Sequence, residues 1–210
     1  FRSNFAILGL AILFNLFGKN VMPTASVVLG FLMPLFNILS VIALLKFKVG
    51  DAGKNDVKFW REIFRNPLIL AAIVSLPFSW FSWPIPIFME KSIDYLASLS
   101  MPLALIGIGG SMSFRGLQRN FLIIFISSIL KIIILPIVVT SLAVFLGFRG
   151  HELGIVFVFF GTPTAIVSFI MAKAMDSDSL LTANIILLST LGSIFTMGAG
   201  IYILKYLQLI

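Results

Sequence analysis

Seven apolar runs, at residues 3–18, 21–46, 67–83, 94–112, 120–147, 153–173 and 179–207, leave this chain few ways to fold. A run of about 20 apolar residues is long enough to cross a hydrocarbon core roughly 30 Å thick. Lipid cannot pair with backbone N–H and C=O groups, so the spans must be helices. The expectation is an all-α polytopic membrane protein. Composition agrees, with 60% hydrophobic and 11% charged residues. There is no cysteine, which removes disulfides, thiolate metal sites and cysteine nucleophiles from consideration. A net charge of +7 would suggest nucleic acid in a soluble protein. Here the basic residues cluster between apolar runs, where they set topology, and no nucleic-acid partner is expected.

The loops predict the orientation. Lys46, Lys48, Lys54, Lys58, Arg61 and Arg65 face only three acids in their segment, and Arg115 and Arg119 lie on the same side two spans later. The opposite connections hold Lys19, Lys91 and Arg149. The positive-inside rule puts the richer group in the cytoplasm. Residues 47–66 form the one connection long enough to separate two bundles. Within it Phe59, Trp60, Ile63 and Phe64 share one helical face and Lys58, Arg61, Glu62 and Arg65 the other. That pattern suits a short helix lying in the headgroup layer or a plain linker. The expected units are therefore 1–46, the linker 47–66, and 67–210.

Span six is interrupted at Gly161-Thr162-Pro163-Thr164-Ala165, and Asn4-Phe5-Ala6-Ile7-Leu8-Gly9 holds the equivalent place in span one, 158 residues earlier. The same offset relates Thr24-Ala25-Ser26-Val27-Val28-Leu29 to Thr182-Ala183-Asn184-Ile185-Ile186-Leu187. Five spans separate the breaks, so matching sequences cross the membrane in opposite directions and the repeat is inverted. If the second repeat has five helices, three helices would precede Phe1 in a ten-helix carrier. Paired broken helices are the best sequence pointer to a transporter's substrate site.

Pro163 removes a backbone donor and clashes with the preceding turn, freeing carbonyls inside the membrane. Gly161, Thr162 and Thr164 flank it. The alternative is a simple kink. In span one, the amide of Asn4 offers donors and an acceptor suited to a carboxylate or to unwound backbone, with Gly9 five residues on. Interhelical hydrogen bonding is the structural alternative for Asn4. Lys131 lies about eleven residues, or roughly 16 Å, from the cytoplasmic end of span five. That depth discourages snorkelling and turns the side chain into the bundle. There it would attract an anionic substrate, neutralise a carboxylate elsewhere, or serve structurally on backbone carbonyls. No buried carboxylate is evident: Asp176 and Asp178 fall in a turn, where Asp178 can cap the next helix, and Glu90, Asp94 and Glu152 lie near the surfaces. His151 is expected in an external turn. Gly107, Gly109 and Gly110 suit close helix packing.

Arg2-Ser3-Asn4-Phe5-Ala6-Ile7-Leu8-Gly9-Leu10 resembles the fourth helix of the auxin efflux carrier family, which includes plant PIN carriers and bacterial organic-acid permeases. Pro34-Leu35-Phe36-Asn37-Ile38-Leu39, Asn66-Pro67-Leu68-Ile69-Leu70-Ala71, Ser100-Met101-Pro102-Leu103-Ala104-Leu105-Ile106-Gly107-Ile108-Gly109, and Pro163-Thr164-Ala165 with Ala172-Lys173 are similar to its later helices. The family usually has Pro soon after the glycine of its fourth helix, where this chain has Ala11, so the first break should be the milder. The resemblance implies the last seven helices of a ten-helix, bile-acid-symporter or NhaA-like inverted-repeat fold in the plasma membrane, with spans one and six crossing at mid-depth. It implies a mobile transport domain of spans one, two, five, six and seven. Spans three and four would belong to a scaffold that often forms homodimers. It makes Asn4 the position matching the substrate-site Asn of the PIN branch.

The expected activity is elevator-type transport of a small organic anion, with Asn4, Gly9, Lys131, Gly161, Thr162, Pro163 and Thr164 as the candidate substrate-binding residues. No cofactor or metal is expected. A proton- or sodium-coupling acid would lie outside these residues, or the carrier is uncoupled. Two other classes fit less well. A seven-helix receptor or channel matches the span count but not the inverted repeat. An intramembrane enzyme lacks paired acids, a Ser/His pair or metal-spaced histidines.

Overall fold

Helices occupy the apolar runs wherever the computed structural model describes them, which is over residues 2–46, 83–111 and 120–210 with scattered positions between 70 and 81. The predicted linker 47–66 and most of the run 67–83 lie outside the described residues. A π-helical turn, Phe5–Gly9, leads into α1, Leu10–Phe17. The chain reverses at Gly18, whose φ of +71° favours glycine, and continues through a 3-10 turn into α2, Met22–Lys46. The 40-residue apolar segment Phe5–Leu44 is thus folded in two. The ring centroids of Phe5 and Phe36 lie 5.5 Å apart across the hairpin.

Next comes α3, Ile87–Ser111, with Glu90, Lys91 and Asp94 near its start. Span five is α4, Phe121–Ile129, and α5, Leu135–Phe145, joined by a second π turn at Leu130–Ile134. The cause of that turn is Pro136, which has no N–H to donate and crowds the carbonyl four residues back. Widening by one residue relieves the clash. Span six is two half-helices, α6, Gly150–Gly161, and α7, Val167–Ala174. The last helix, α8, is Ser179–Tyr206.

Phe5–Leu44, Phe121–Phe145 and Ser179–Tyr206 are long and apolar enough to cross a membrane, while Gly150–Gly161 is apolar but shorter. Their outer faces carry Phe31, Phe145 and Phe195 at 76%, 86% and 78% exposure. In water so much bare aromatic surface would drive association; in acyl chains it costs nothing. The inner faces of α1, α6 and α8 meet through Phe5, Leu13, Leu153, Val158, Phe159 and Met197. Since lipid is as apolar as leucine, close packing rather than the hydrophobic effect holds such helices together. Gly154 shows how close: a Cβ there would lie 2.5 Å from the ring of Phe17. His151, at the start of α6, is exposed and meets Phe17 edge-to-face at 4.8 Å.

Asp178 caps α8 as its sequence position suggests, accepting from the Leu181 N–H at 2.8 Å. Asp178→Ala leaves that amide without its partner and should destabilise the purified protein by about 1 kcal/mol. Asp178→Asn, which retains an acceptor, should unfold near the wild-type temperature in the same detergent. Equal melting of wild type and Asp178→Ala would show that the cap contributes nothing.

Candidate functional site

Pro163 sets the second break. The residue before a proline is pushed out of the α region, and Thr162 accordingly has φ −60° and ψ 148°. The backbone stays extended through Thr164, and helix resumes at Val167. The expected break at Gly161–Thr164 is therefore displaced by about one residue, because Gly161 still closes α6.

The first break lies elsewhere than the sequence indicates. Non-helical backbone was expected at Asn4–Gly9; instead Phe5–Gly9 is a π turn, and the extended piece is Ser3 with its neighbours. The Asn4 carbonyl accepts from Leu8 at 3.1 Å and from Gly9 at 3.2 Å. With Ala11 in place of a proline, every N–H after Gly9 can rejoin the helix, and the distortion shrinks to one wide turn.

The two extended segments cross and pair. Ser3 and Thr164 form an antiparallel bridge. The Asn4 N–H donates to the Pro163 carbonyl at 2.8 Å, and the Ala165 N–H to the Arg2 carbonyl at 2.7 Å. The Thr164 N–H finds the Ser189 hydroxyl of α8 at 3.2 Å. Groups released by each break are thus satisfied largely by the other.

Lys131 completes the accounting. It is 2% exposed, turned inward from the π turn, and its Nζ donates to the carbonyls of Phe160 and Thr162, both at 2.7 Å. These carbonyls end α6, where the helix dipole is negative. The ammonium therefore neutralises that end of the broken helix.

The other candidate residues fall into two groups. Asn4 is buried beside the bridge and makes no capping bond with its side chain. Thr164 is buried with its hydroxyl unpartnered. Both face the crossing without a committed role. Thr162, by contrast, returns its hydroxyl to Phe159 at 3.2 Å. Gly161 and Gly9 are contact points between helices: a Cβ would lie 2.7 Å from Met197 Sδ at Gly161 and 3.2 Å from the Phe159 ring at Gly9. Pro163 contributes its carbonyl.

Arg2 was not singled out by sequence, nor were Asn37, Ser168 and Ser189. Arg2 is buried, with Nη1 donating to Asn37 Oδ1 of α2 and lying 3.9 Å from Met171 Sδ of α7. Arg2 stands just before the apolar run 3–18, so the depth criterion that turns Lys131 inward gives no signal for it.

Electrostatically the crossing favours anions. The π turn before α1 and the half-helix α7 both begin there; at α7 the Ser168 and Phe169 N–H groups already donate to the Ala165 and Ile166 carbonyls, so the N–H groups left over are those of Phe5, Ala6 and Ile7 at the π turn. The negative end of α6 is covered by Lys131. Among the described residues no group of three or more His, Asp or Glu side chains could hold a metal. A cavity of about 360 Å³ lies between α5, α6 and α8, lined by residues such as Pro136, Val144, Phe157 and Leu204. Its lining holds the hydroxyls of Thr140 and Ser141 but no charge, so it is poorly suited to orient an anion.

Residues 2–199 match the family model described as membrane transport protein. The chain belongs to the auxin efflux carrier family of membrane transport proteins. This is a transporter family and not an enzyme family, and the chain is a multi-pass membrane protein. It is 25% identical over 152 residues to an uncharacterized transporter of Methanocaldococcus jannaschii, covering 71% of this chain and 49% of the relative. It is 27% identical over 158 residues to an uncharacterized transporter of Methanothermobacter thermautotrophicus, covering 73% and 50%. The chain spans about half the length of these curated relatives.

Lys131→Met strips two carbonyls of charged hydrogen bonds inside the carrier and should destabilise it by about 3 kcal/mol. Thermal unfolding of the full-length protein in detergent measures this. An unchanged melting temperature would mean that the α6 carbonyls find other partners.

Proposed function

We propose that the chain forms the substrate-binding core of a secondary carrier for a small organic anion, which binds where spans one and six cross. The observation that carries this reading is the antiparallel pairing of Arg2–Asn4 with Pro163–Ala165, flanked by two helix starts. A broken backbone in lipid needs such a partner, and the pairing leaves the N–H groups of Phe5, Ala6 and Ile7 and the Asn4 side-chain amide for a ligand. Each helix start offers an anion a fraction of a kcal/mol to about 2 kcal/mol. Asn4 and Thr164 supply directional groups, while Thr162 and Pro163 hold the break in shape, their backbone committed to Val158, Lys131 and Asn4. Lys131 acts by holding the end of α6 in place, with one ammonium hydrogen left over. Gly9 and Gly161 allow the helices to approach.

The repeat supports the same reading. Residues related by the offset of 158 would meet between Asn4 and Phe5 on one segment and between Thr162 and Pro163 on the other. That point lies within two residues of the bridge, as a pseudo-twofold axis through the site requires. Movement of the crossing as one body past spans three and four would give alternating access. Homodimerisation through those spans, proton or sodium coupling and a plasma-membrane location belong to the same proposal.

Radiolabelled uptake and counterflow of malonate, malate and indole-3-acetate into proteoliposomes of the full-length protein is the direct assay. Wild type should show counterflow with at least one of them. Asn4→Ala and Thr164→Val, at matched expression, should each lower uptake at least tenfold. Wild-type rates and affinities in both variants would rule out this site, and absence of counterflow for every anion would count against the carrier reading.

A further inference from the structure

The cavity of about 360 Å³ between α5, α6 and α8 is a cleft open to one side. Its rim carries Ile137, Ile203 and Leu207, which are 58%, 53% and 56% exposed. Because α5 and α8 belong to segments long and apolar enough to cross a membrane, that open side meets acyl chains. Phe157 closes the inner wall against Gly200, where a Cβ would lie 2.2 Å from its ring. Apolar walls with nothing between them forfeit dispersion contacts, so a cleft of this size in a bilayer takes up a chain.

A cation stands at one end of the cleft. α5 finishes at Phe145, and the chain turns back through Gly147 and Arg149 into α6. Arg149 is exposed, and its Nη1 donates to the carbonyls of Val144 at 2.9 Å and Phe148 at 2.7 Å. Val144 lines the cleft, so these bonds hold the guanidinium at its mouth. No acid among the described residues pairs with the rest of the fork; Glu152, in the first turn of α6, forms no ion pair with it. Ser141 adds a hydroxyl to the lining, three residues or about 4.5 Å below Val144 along the axis. The Gly150 N–H donates to the Leu209 carbonyl at 2.8 Å, which brings the end of α8 to the same level. There Tyr202 and Tyr206 stack with both rings exposed, and such tyrosines sit at the height of lipid headgroups.

We propose that this cleft binds an anionic glycerophospholipid, with one acyl chain between α5 and α8, an ester carbonyl at the Ser141 hydroxyl and the phosphate at Arg149. The spacing of the two polar groups along α5 suits the glycerol that links a phosphate to its esters. Arginine offers parallel N–H groups to two phosphate oxygens, and Nη1 keeps its carbonyls while the rest of the fork does so. The apolar walls accept any acyl chain, whereas the guanidinium selects a headgroup of net negative charge. The site lies apart from the crossing of spans one and six and does not depend on the carrier reading. A helix from the remainder of the full-length protein is the competing occupant, and lipid cross-linking tells the two apart.

Phosphatidylglycerol carrying a diazirine in one acyl chain is added to the full-length protein in detergent and photolysed, and the adducts are mapped by mass spectrometry. They should fall on Ile137, Ser141, Ile203 and Leu207. Unlabelled phosphatidylglycerol should compete at least fivefold more effectively than phosphatidylcholine, and inorganic phosphate should not compete. Ser141→Phe, which fills the cleft, should cut labelling at least fivefold. Arg149→Gln should abolish the preference for phosphatidylglycerol while labelling by a phosphatidylcholine probe stays within twofold, and Arg149→Lys should retain part of the preference. If Arg149→Gln does not give a monodisperse protein, the wild-type competition and Ser141→Phe carry the test. Wild-type protein without adducts on those four residues overturns the site and points to a covering helix. Equal competition by the two lipids, or equal loss of both in Arg149→Gln, overturns the role given to the guanidinium and with it the proposal.

Discussion

A backbone group inside lipid must be paired by the protein itself, and the hydrogen bonds between Arg2–Asn4 and Pro163–Ala165 meet that demand for both breaks at once. An unpaired amide or carbonyl costs roughly 2–7 kcal/mol in an apolar medium. Neither broken helix could persist alone at that cost. Each supplies the donor or acceptor that the other lacks, so Pro163 in one span requires an opened turn in the other. The remaining carbonyls, at the end of α6, receive the ammonium of Lys131. A structure of few polar atoms is organised around the handful it must satisfy.

Much of this was legible, and the reasons differ by residue. Pro163 was readable because its effect is local: it dictates the conformation of Thr162 with little help from neighbours. Lys131 was readable from depth, since a cation so far from either interface has to turn inward. Its target was not, because two carbonyls on another helix leave no trace in the sequence. The first break was misplaced for a related reason. Without a proline in span one, nothing local distinguishes Asn4–Gly9 from the residues before it, and pairing with span six decides where the chain is extended. Nor does the sequence show that Gly9 and Gly161 lie at points of close approach to Phe159 and Met197, since those neighbours come from other helices.

Arg2 illustrates a subtler limit. Near the start of the chain it reads as an interfacial charge, yet the hairpin of α1 and α2 brings Asn37 over it, and α7 passes beside it. Burial here is a product of tertiary folding. The unpaired hydroxyls of Thr164 and Ser168 belong to the same class: their residue types are ordinary in membrane helices, and only the loss of every nearby partner makes them notable.

The way α3 is attached has a mechanical consequence. The crossing is fastened to α8 through Ser189, to α2 through Asn37 and to α4–α5 through Lys131, in each case by hydrogen bonds. The contacts described for α3 are of another kind, with Gly107 and Ile108 against Phe169, Ala183 and Ile186. Sliding along that seam exchanges one set of dispersion contacts for another at nearly constant energy. Displacement along any of the fastened seams strips a polar group of its partner in lipid. Among the described contacts, the seam along α3 is the apolar one.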